Sequence, residues 1–279
     1  MNLILLEPAD LPDVGTARLT GPRAAHVREV LRAAAGDTIR VGQLDGPLGV
    51  GTVKSLSAEE VVLACAWETA IPPRPAVDLL LAVPRPKVLK RLWAQLAALG
   101  VGRIALVNAA RVERFYFDSH VIQPDFYRPL LIEGLQQARD TRVPEVSVHR
   151  AFRPFVEDEL DGLFGPGARL VAHPWTEGRL DPPSQGFRLR PRAAAGQAGV
   201  ASGWTTGQKS ARVLLAVGPE GGWVPFELDL LQARGFRPVG LGPRTLRTDT
   251  ACVALLAMVH AARGAGGLPE GPISPTLTA

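Results

Sequence analysis

The sequence contains few cysteines and no long apolar run, and each of these shortages excludes a class of protein. Only Cys65 and Cys252 are cysteines among 279 residues, so a disulfide framework is excluded and two reduced thiols are expected. Apolar stretches such as 77–83 and 253–259 are far shorter than the roughly 20 residues of a membrane-spanning helix. The first residues lack the charged and apolar regions of a secretion signal. A cytoplasmic location without a membrane partner is therefore expected.

Several common site motifs are missing as well. The sequence has no G-x-x-x-x-G-K-[ST], which counts against a P-loop, and no G-x-G-x-x-G, which counts against Rossmann dehydrogenases and Rossmann-like methyltransferases. Its five histidines are scattered without H-E-x-x-H spacing, so no metal is expected. The absence of G-x-S-x-G removes the nucleophile elbow of the α/β-hydrolases.

Positive charge is present but local. The net charge is +4 and the pI about 9.5, yet residues 1–72 hold six Arg or Lys against nine Asp or Glu. Affinity for phosphates depends on patches rather than on the whole-chain sum. Three clusters stand out in the sequence: Arg18, Arg23, Arg28 and Arg32; Arg85, Lys87, Lys90 and Arg91; and Arg188, Arg190 and Arg192.

The order of apolar and turn residues predicts two domains. Short β-like runs fill residues 2–67 around one helix at 22–34, which indicates a small barrel over residues 1–72. From residue 77 strands alternate with helices, which predicts an α/β domain over 73–265 with a mostly parallel sheet covered on both faces. Residues 176–211 lack a periodic apolar set and are expected to be a flexible insertion, and 266–279 a disordered tail.

Two strand-to-loop transitions carry the strongest signal. They read VLLAVGPEGGWVPFE from residue 213 and PVGLGPRTLRTDTA from residue 238, and a helix follows each loop. Glycine is used where a ligand must approach the backbone closely, and in open α/β sheets ligands bind beyond the carboxyl ends of the strands. The sequence therefore predicts a small-molecule site formed by these two loops.

These two motifs resemble the SPOUT superfamily of knotted methyltransferases, and more narrowly the ribosomal RNA small subunit methyltransferase E family. HVREVLRAAAGDTIRVG, LGVGRIALVNAARVE and TRVPEV agree with that family, so the resemblance covers roughly residues 15–262. It implies a trefoil-knotted sheet, a PUA-like barrel before it, a homodimer, and S-adenosyl-L-methionine as the cofactor. The implied reaction is methylation of N3 of a uridine in 16S rRNA, on free RNA or the small ribosomal subunit.

The resemblance also implies a set of site residues. Arg247 is the candidate that stabilises the uracil anion, since a guanidinium stays charged and presents paired donors. Glu220 is a candidate base, with a hydrogen bond to the cofactor ribose as the alternative. The expected cofactor contacts are His173, Pro174, Val217, Gly218, Glu220, Gly221, Leu241, Gly242, Leu246 and Arg247, and the expected RNA contacts are Arg23, Arg28, Arg32 and Arg244.

Two segments depart from the family pattern and leave alternatives open. Residues 95–100 (QLAALG) lack the Lys and Glu that many relatives carry there, and residues 136–140 read QQARD in place of Glu-Gln-Ser-Gly-Arg. These differences put the target base in doubt. One alternative is a SPOUT methyltransferase for another RNA such as tRNA. The other is a non-catalytic RNA-binding factor for ribosome assembly.

Overall fold

The fold contains two sheets, which follow one another along the chain. The computed structural model describes residues 3–173, 212–242 and 244–264. Pro174, the predicted insertion 176–211 and the predicted tail 266–279 lie outside the described residues. No helix in the described ranges is both long and apolar enough to cross a membrane.

The first sheet has five strands in the order β1-β3-β4-β5-β2. The bounds are β1 Ile4–Leu6, β2 Thr16–Thr20, β3 Thr38–Gln43, β4 Leu48–Leu56 and β5 Glu60–Trp67. Strand β1 pairs parallel with β3, and the remaining pairs are antiparallel. In the described chain the edge strands β1 and β2 are not paired with each other, so a closed barrel stays a prediction.

The helix predicted at 22–34 is shorter than expected. Helix α1, Gly21–Ala25, continues as one π-helical turn, His26–Val30, and then ends. Arg32 has a φ of 52°, a left-handed conformation that cannot extend a right-handed helix. Residue type does not indicate this stop, because Arg is a good helix former.

The second sheet has six strands in the order β11-β9-β10-β6-β7-β8. The bounds are β6 Val77–Ala82, β7 Val101–Val107, β8 Glu145–His149, β9 Gly167–Ala172, β10 Arg212–Val217 and β11 Arg237–Val239. Each pairing between these described strands is parallel. All six residues of β6 are buried, so the sheet is covered on both faces as predicted.

Helices connect these strands, and proline begins three of them. The bounds are α2 Pro86–Ala98, α3 Pro124–Ala138, α4 Phe152–Pro154, α5 Leu160–Phe164, α6 Pro225–Ala233 and α7 Thr248–Gly264. A π-helical turn, Phe155–Glu159, joins α4 to α5. Proline suits the first helical position because its fixed φ is helical and the missing N–H would have no partner there.

The first sheet is attached to the second near the amino ends of β6 and β8. The turn between β3 and β4 docks there, since the Asp45 amide donates to the Thr141 carbonyl at 2.8 Å and the Thr141 hydroxyl donates to the Gly46 carbonyl at 2.7 Å. Leu3 and Leu5 are buried in the same core as the second sheet. The loops at the carboxyl ends of the second sheet therefore lie at the edge opposite this attachment.

Helices α2 and α3 pack closely because a glycine lies between them. A β-carbon on Gly134 would overlap the Ala94 carbonyl oxygen and lie 3.0 Å from the Ala97 β-carbon. Both neighbours are held in α2, so neither can move without moving the helix.

We expect Gly134→Ala to lower the free energy of unfolding by about 1–3 kcal/mol, since overpacking forces the two backbones apart. Urea titration would measure the loss. Gly162→Ala in α5 is the matched control, because a β-carbon there meets no atom within 4 Å. It should be neutral or stabilise the fold by up to about 1 kcal/mol. Equal stability of the two variants would show that α2 and α3 separate freely.

Candidate active site

The predicted site residues gather at the carboxyl edge of the second sheet. Val217 ends β10, and Gly218 follows it directly. His173 follows β9, and its amide donates to the Val239 carbonyl at 3.0 Å, which extends the pairing of β9 with β11. Because the strands are parallel, the loops after β9, β10 and β11 begin side by side. The structure thus brings together the segments that carry the two glycine motifs.

The structure requires glycine at two positions of the first motif, independently of any ligand. A β-carbon on Gly218 would lie 3.1 Å from Nε1 of the buried Trp223, so the indole ring leaves no room for a side chain. Gly222 has a φ of 73°, which favours glycine, and its amide closes a turn onto the Pro219 carbonyl at 2.8 Å. Both glycines therefore shape the loop, whatever ligand it holds.

Glu220 links this loop to the start of α2. Its Oε1 accepts a hydrogen bond of 3.0 Å from the Arg85 amide, immediately before the first residue of the helix. A carboxylate is favoured at a helix N-terminus because the amides there carry partial positive charge. The next residue, Gly221, accepts a short hydrogen bond through its carbonyl from the Arg111 guanidinium. The loop is thus fastened to the segments after β6 and β7.

Glu227 is a site residue that the sequence analysis missed. Its side chain is 3% exposed, and its two oxygens accept hydrogen bonds from the Ala110 amide at 2.7 Å and the Val224 amide at 2.9 Å. The second bond is one half of a capping box, in which the third helical residue bonds the amide of the N-cap. The usual Ser or Thr at the N-cap is replaced by Val224, so the sequence signal is weak.

The second motif forms an open loop before α7. Gly242 has a φ of 94°, and a β-carbon there would meet no atom within 4 Å. Leu241 and Leu246 are half-buried, while Arg244 and Arg247 are exposed and form no hydrogen bond or ion pair through their side chains within the described ranges. The loop therefore presents free backbone, two apolar side chains and two unpaired cations at one place.

The N-terminus of α7 is tied to α2 by an ion pair. Asp249 accepts a hydrogen bond of 2.7 Å from the Arg91 guanidinium. Partial burial acts to raise the pKa of Asp249, but the hydrogen bonds from Arg91 and from the Thr250 amide lower it overall. The carboxylate is therefore ionised at neutral pH, and its ion pair holds the end of the second loop against α2.

The arginines predicted to contact RNA in the first sheet differ in whether other protein groups already bind their side chains. Arg23 forms two hydrogen bonds, of 2.5 and 2.6 Å, with the buried carboxylate of Asp10. Arg28 donates to the Ser57 carbonyl at 2.8 Å, and Arg32 is exposed. Arg23 is thus committed to a structural ion pair, because releasing it would leave Asp10 buried without its partner.

Burial shifts the pKa values of two other side chains, His149 at the end of β8 and Cys252 in α7. Burial lowers the pKa of His149, although Glu159, whose Oε2 lies 3.1 Å from Nδ1, acts in the opposite sense. Burial raises the pKa of the Cys252 thiol, so that it stays protonated and unreactive at neutral pH. Within the described ranges no three His, Cys, Asp or Glu side chains are grouped so as to hold a metal ion.

Known proteins match this chain over most of its length. Residues 72–260 match the family model of an RNA methyltransferase domain. The chain is 30% identical over 272 residues to the ribosomal RNA small subunit methyltransferase E of Treponema pallidum, covering 94% of this chain and 92% of that protein. It is 28% identical over 249 residues to the Synechocystis protein of the same name, covering 88% and 73%.

Solved structures share the fold. The ribosomal RNA small subunit methyltransferase E of Neisseria gonorrhoeae, bound to S-adenosyl methionine, superimposes with a TM-score of 0.66 at 21% identity, covering 94% of this chain and 98% of that one. A probable rRNA-methyltransferase from Porphyromonas gingivalis gives a TM-score of 0.65 at 21% identity, covering 95% and 99%.

The fold and the matching domain place the protein among the RNA methyltransferases. Within that class the chain belongs to the ribosomal RNA small subunit methyltransferase E family of the SPOUT superfamily. The resemblance predicted from the sequence motifs is thereby confirmed.

We expect Glu227→Ala to destabilise the site, because it leaves the Ala110 and Val224 amides without their acceptor. The cost of such unpaired groups is about 1–3 kcal/mol, measured by thermal or urea unfolding. Hydrogen exchange at the two amides should accelerate. Asp229→Ala, an exposed change two residues further along α6, is the control and should alter neither quantity. Unchanged exchange in Glu227→Ala would contradict the assigned role.

Proposed function

We propose that this protein transfers a methyl group from S-adenosyl-L-methionine to N3 of a uridine in 16S rRNA. The observation that carries the proposal is the convergence of the two glycine loops with the segment after β9, in a member of this family. The Neisseria relative with the same fold is bound to S-adenosyl methionine. The solved relatives support the cofactor, and the name of the curated relatives supports ribosomal RNA as the substrate.

The open loop before α7 fits an adenosine. The free space beside Gly242 lets a flat ring approach the backbone, and Leu241 and Leu246 provide apolar walls. Val217, Gly218 and Gly221 would form the opposite wall, with His173 completing the described part of the site. When bound, the cofactor supplies an electrophilic methyl group on its sulfonium. The trefoil knot implied by the family would fix these loops around it.

The uridine must lose its N3 proton before it can accept a methyl group. Arg247 is exposed and unpaired within the described ranges, so its guanidinium is available to stabilise the anion that spreads over O2 and O4. Glu220 would act as the base or bind the cofactor ribose. Oε1 of Glu220 already accepts a hydrogen bond from the Arg85 amide, so it is less available to take a proton from the uridine. This hydrogen bond favours a positioning role for Glu220.

The first sheet would bind parts of the rRNA that lie away from the cofactor loops. We propose residues 1–72 as a PUA-like RNA-binding domain, with Arg28 and Arg32 meeting phosphates, and residues 73–265 as the catalytic domain. Arg23 would act indirectly, through its ion pair with Asp10. Arg244 is part of the open loop before α7 and would bind a phosphate near the target.

A homodimer in the cytoplasm completes the proposal. Helix α7 buries Cys252, Leu255 and Leu256 in the core, but Ala254 and Ala257 on its other side stay partly or fully exposed. A second copy of the chain packing on this side would cover them and stand beside the cofactor loop.

Mass-spectrometric mapping of methylated uridines tests the function. We expect one N3-methyluridine of 16S rRNA to disappear when the gene is deleted and to return with a plasmid copy. Loss of a methyl group from tRNA instead would assign another target. A protein that binds no S-adenosyl-L-methionine in calorimetry, and whose loss changes no methylation, would be a non-catalytic assembly factor.

We expect Arg247→Ala to lower single-turnover methyl transfer by roughly 10²–10³-fold, the usual effect of removing one donor to a developing anion. Arg247→Lys should be nearly as damaging, because lysine keeps the charge but lacks the planar pair of donors. Both variants should bind S-adenosyl-L-methionine within a few-fold of the wild type in calorimetry. Near-normal methyl transfer by Arg247→Ala would show that Arg247 has no catalytic role.

A further inference from the structure

Charge is distributed unevenly between the two ends of the molecule. Residues 1–72 carry more acids than bases, six Arg or Lys against nine Asp or Glu. The segments at the carboxyl ends of the second sheet carry eight Arg or Lys against three Asp or Glu; these segments are 83–87, 108–118, 149–153, 218–226 and 240–247. Because RNA phosphates respond to local charge, the carboxyl edge is the more attractive surface for RNA.

The attachment of the first sheet strengthens this conclusion. In the described ranges, the hydrogen bonds and ion pairs between the two sheets all involve Arg74 or residues 141–143. These residues precede β6 and β8, so the attachment lies at the amino edge. Nucleotides beside the cofactor loops therefore need contacts from the carboxyl edge itself.

Phe226 is an exposed aromatic residue at that edge. It is the second residue of α6, and 52% of its surface is exposed. The Arg153 guanidinium carbon lies 6.0 Å from the centre of its ring, and Glu157 holds that guanidinium with contacts of 2.9 and 3.1 Å. An exposed ring beside a fixed cation is the arrangement on which unpaired RNA bases stack.

A second exposed aromatic residue, Phe115, follows β7. It is 63% exposed, and its ring meets Tyr116 edge-on at 4.8 Å, which fixes its direction. The preceding residue, Arg114, is exposed and forms no ion pair or hydrogen bond through its side chain in the described ranges. An exposed ring and an arginine without a side-chain partner in the described ranges thus occupy neighbouring positions in this loop.

These residues are joined rigidly to the first glycine loop. Glu227, next to Phe226, binds the Ala110 amide at 2.7 Å. Arg111 in turn binds the Gly221 carbonyl. The loops after β7, β8 and β10 therefore form one continuous surface, which we call the basic rim and define by Arg111, Arg114, Phe115, Arg150, Arg153 and Phe226.

We propose that the basic rim binds the rRNA strand next to the target uridine. Phe226, with Arg153 beside it, stacks on one unpaired base, and Phe115 with Arg114 holds a second nucleotide. The proposal rests on the function proposed above and assigns to it a contact surface in the catalytic domain. The charge, the exposure of both rings and the position next to the glycine loop point to the same occupant.

Substitutions at Phe226 test the stacking. The probe is the small ribosomal subunit purified from cells that lack the gene, and the measurement is its apparent Kd. Phe226→Ala and Phe226→Leu should each weaken binding by roughly tenfold or more, because stacking on an aromatic ring is lost. Phe226→Trp should bind like the wild type. Gln232→Ala, an exposed change near the other end of α6, is the control and should have no effect.

Salt dependence tests the phosphate contact. Arg114→Ala should lower the slope of log Kd against log salt concentration by about one. Arg237→Ala, an exposed change at the amino end of β11, should leave the slope unchanged. Melting temperatures and S-adenosyl-L-methionine affinity should stay at wild-type values in every variant, since these side chains are exposed.

The outcomes separate the two proposals. If the wild type binds and methylates the subunit but Phe226→Ala does so equally well, the basic rim is overturned and the function stands. Wild-type binding by Phe226→Leu would show an apolar contact and overturn stacking. A wild type that neither binds nor methylates the subunit overturns the function, and the basic rim with it.

Discussion

Parallel pairing of the strands in the second sheet is the constraint on which the site depends. Because each chain segment enters this sheet in the same direction, its loops leave at one edge. This arrangement alone brings together residues that are far apart in sequence, such as Arg85, Arg111 and Glu220. The return helices cover both faces, so the edge is the place where polar groups can meet a ligand without crossing the apolar core.

The loops at this edge are held by charged hydrogen bonds rather than by apolar packing alone. Glu220 and Glu227 each bind backbone amides of another segment, and Arg111 binds a carbonyl of the first glycine loop. Hydrogen bonds to charged groups contribute about 1.5–3 kcal/mol each, more than neutral ones. The glycine loop is therefore preorganised before a ligand arrives. A substitution at Gly218 or Gly222 would change the shape of this loop, in addition to any ligand contact that it removes.

Local signals made much of the fold predictable from sequence. Alternating apolar strands and helices gave the parallel sheet, and the glycine motifs gave its loops at the carboxyl edge. The extent of the helix after Pro22 was wrong, because the left-handed Arg32 depends on the backbone that follows rather than on residue type. The pairing of Arg23 with Asp10 and the docking of Asp45 onto Thr141 were not predictable either. Such contacts join residues distant in sequence or set by tertiary position, and no periodic pattern records them.

The charge of Arg247 is unfavourable for the stability of the helix that follows it. This residue directly precedes α7, where the helix carries partial positive charge, and a cation there is unfavourable by about 0.3–1 kcal/mol. Helix α2 has the opposite charge at its N-terminus, since the Glu220 carboxylate accepts a hydrogen bond from the Arg85 amide there. Within the described ranges the Arg247 side chain has no hydrogen bond or ion pair to compensate. A side chain that is unfavourable for its own helix and has no partner in the described ranges is consistent with the proposed role, in which Arg247 meets a negatively charged substrate.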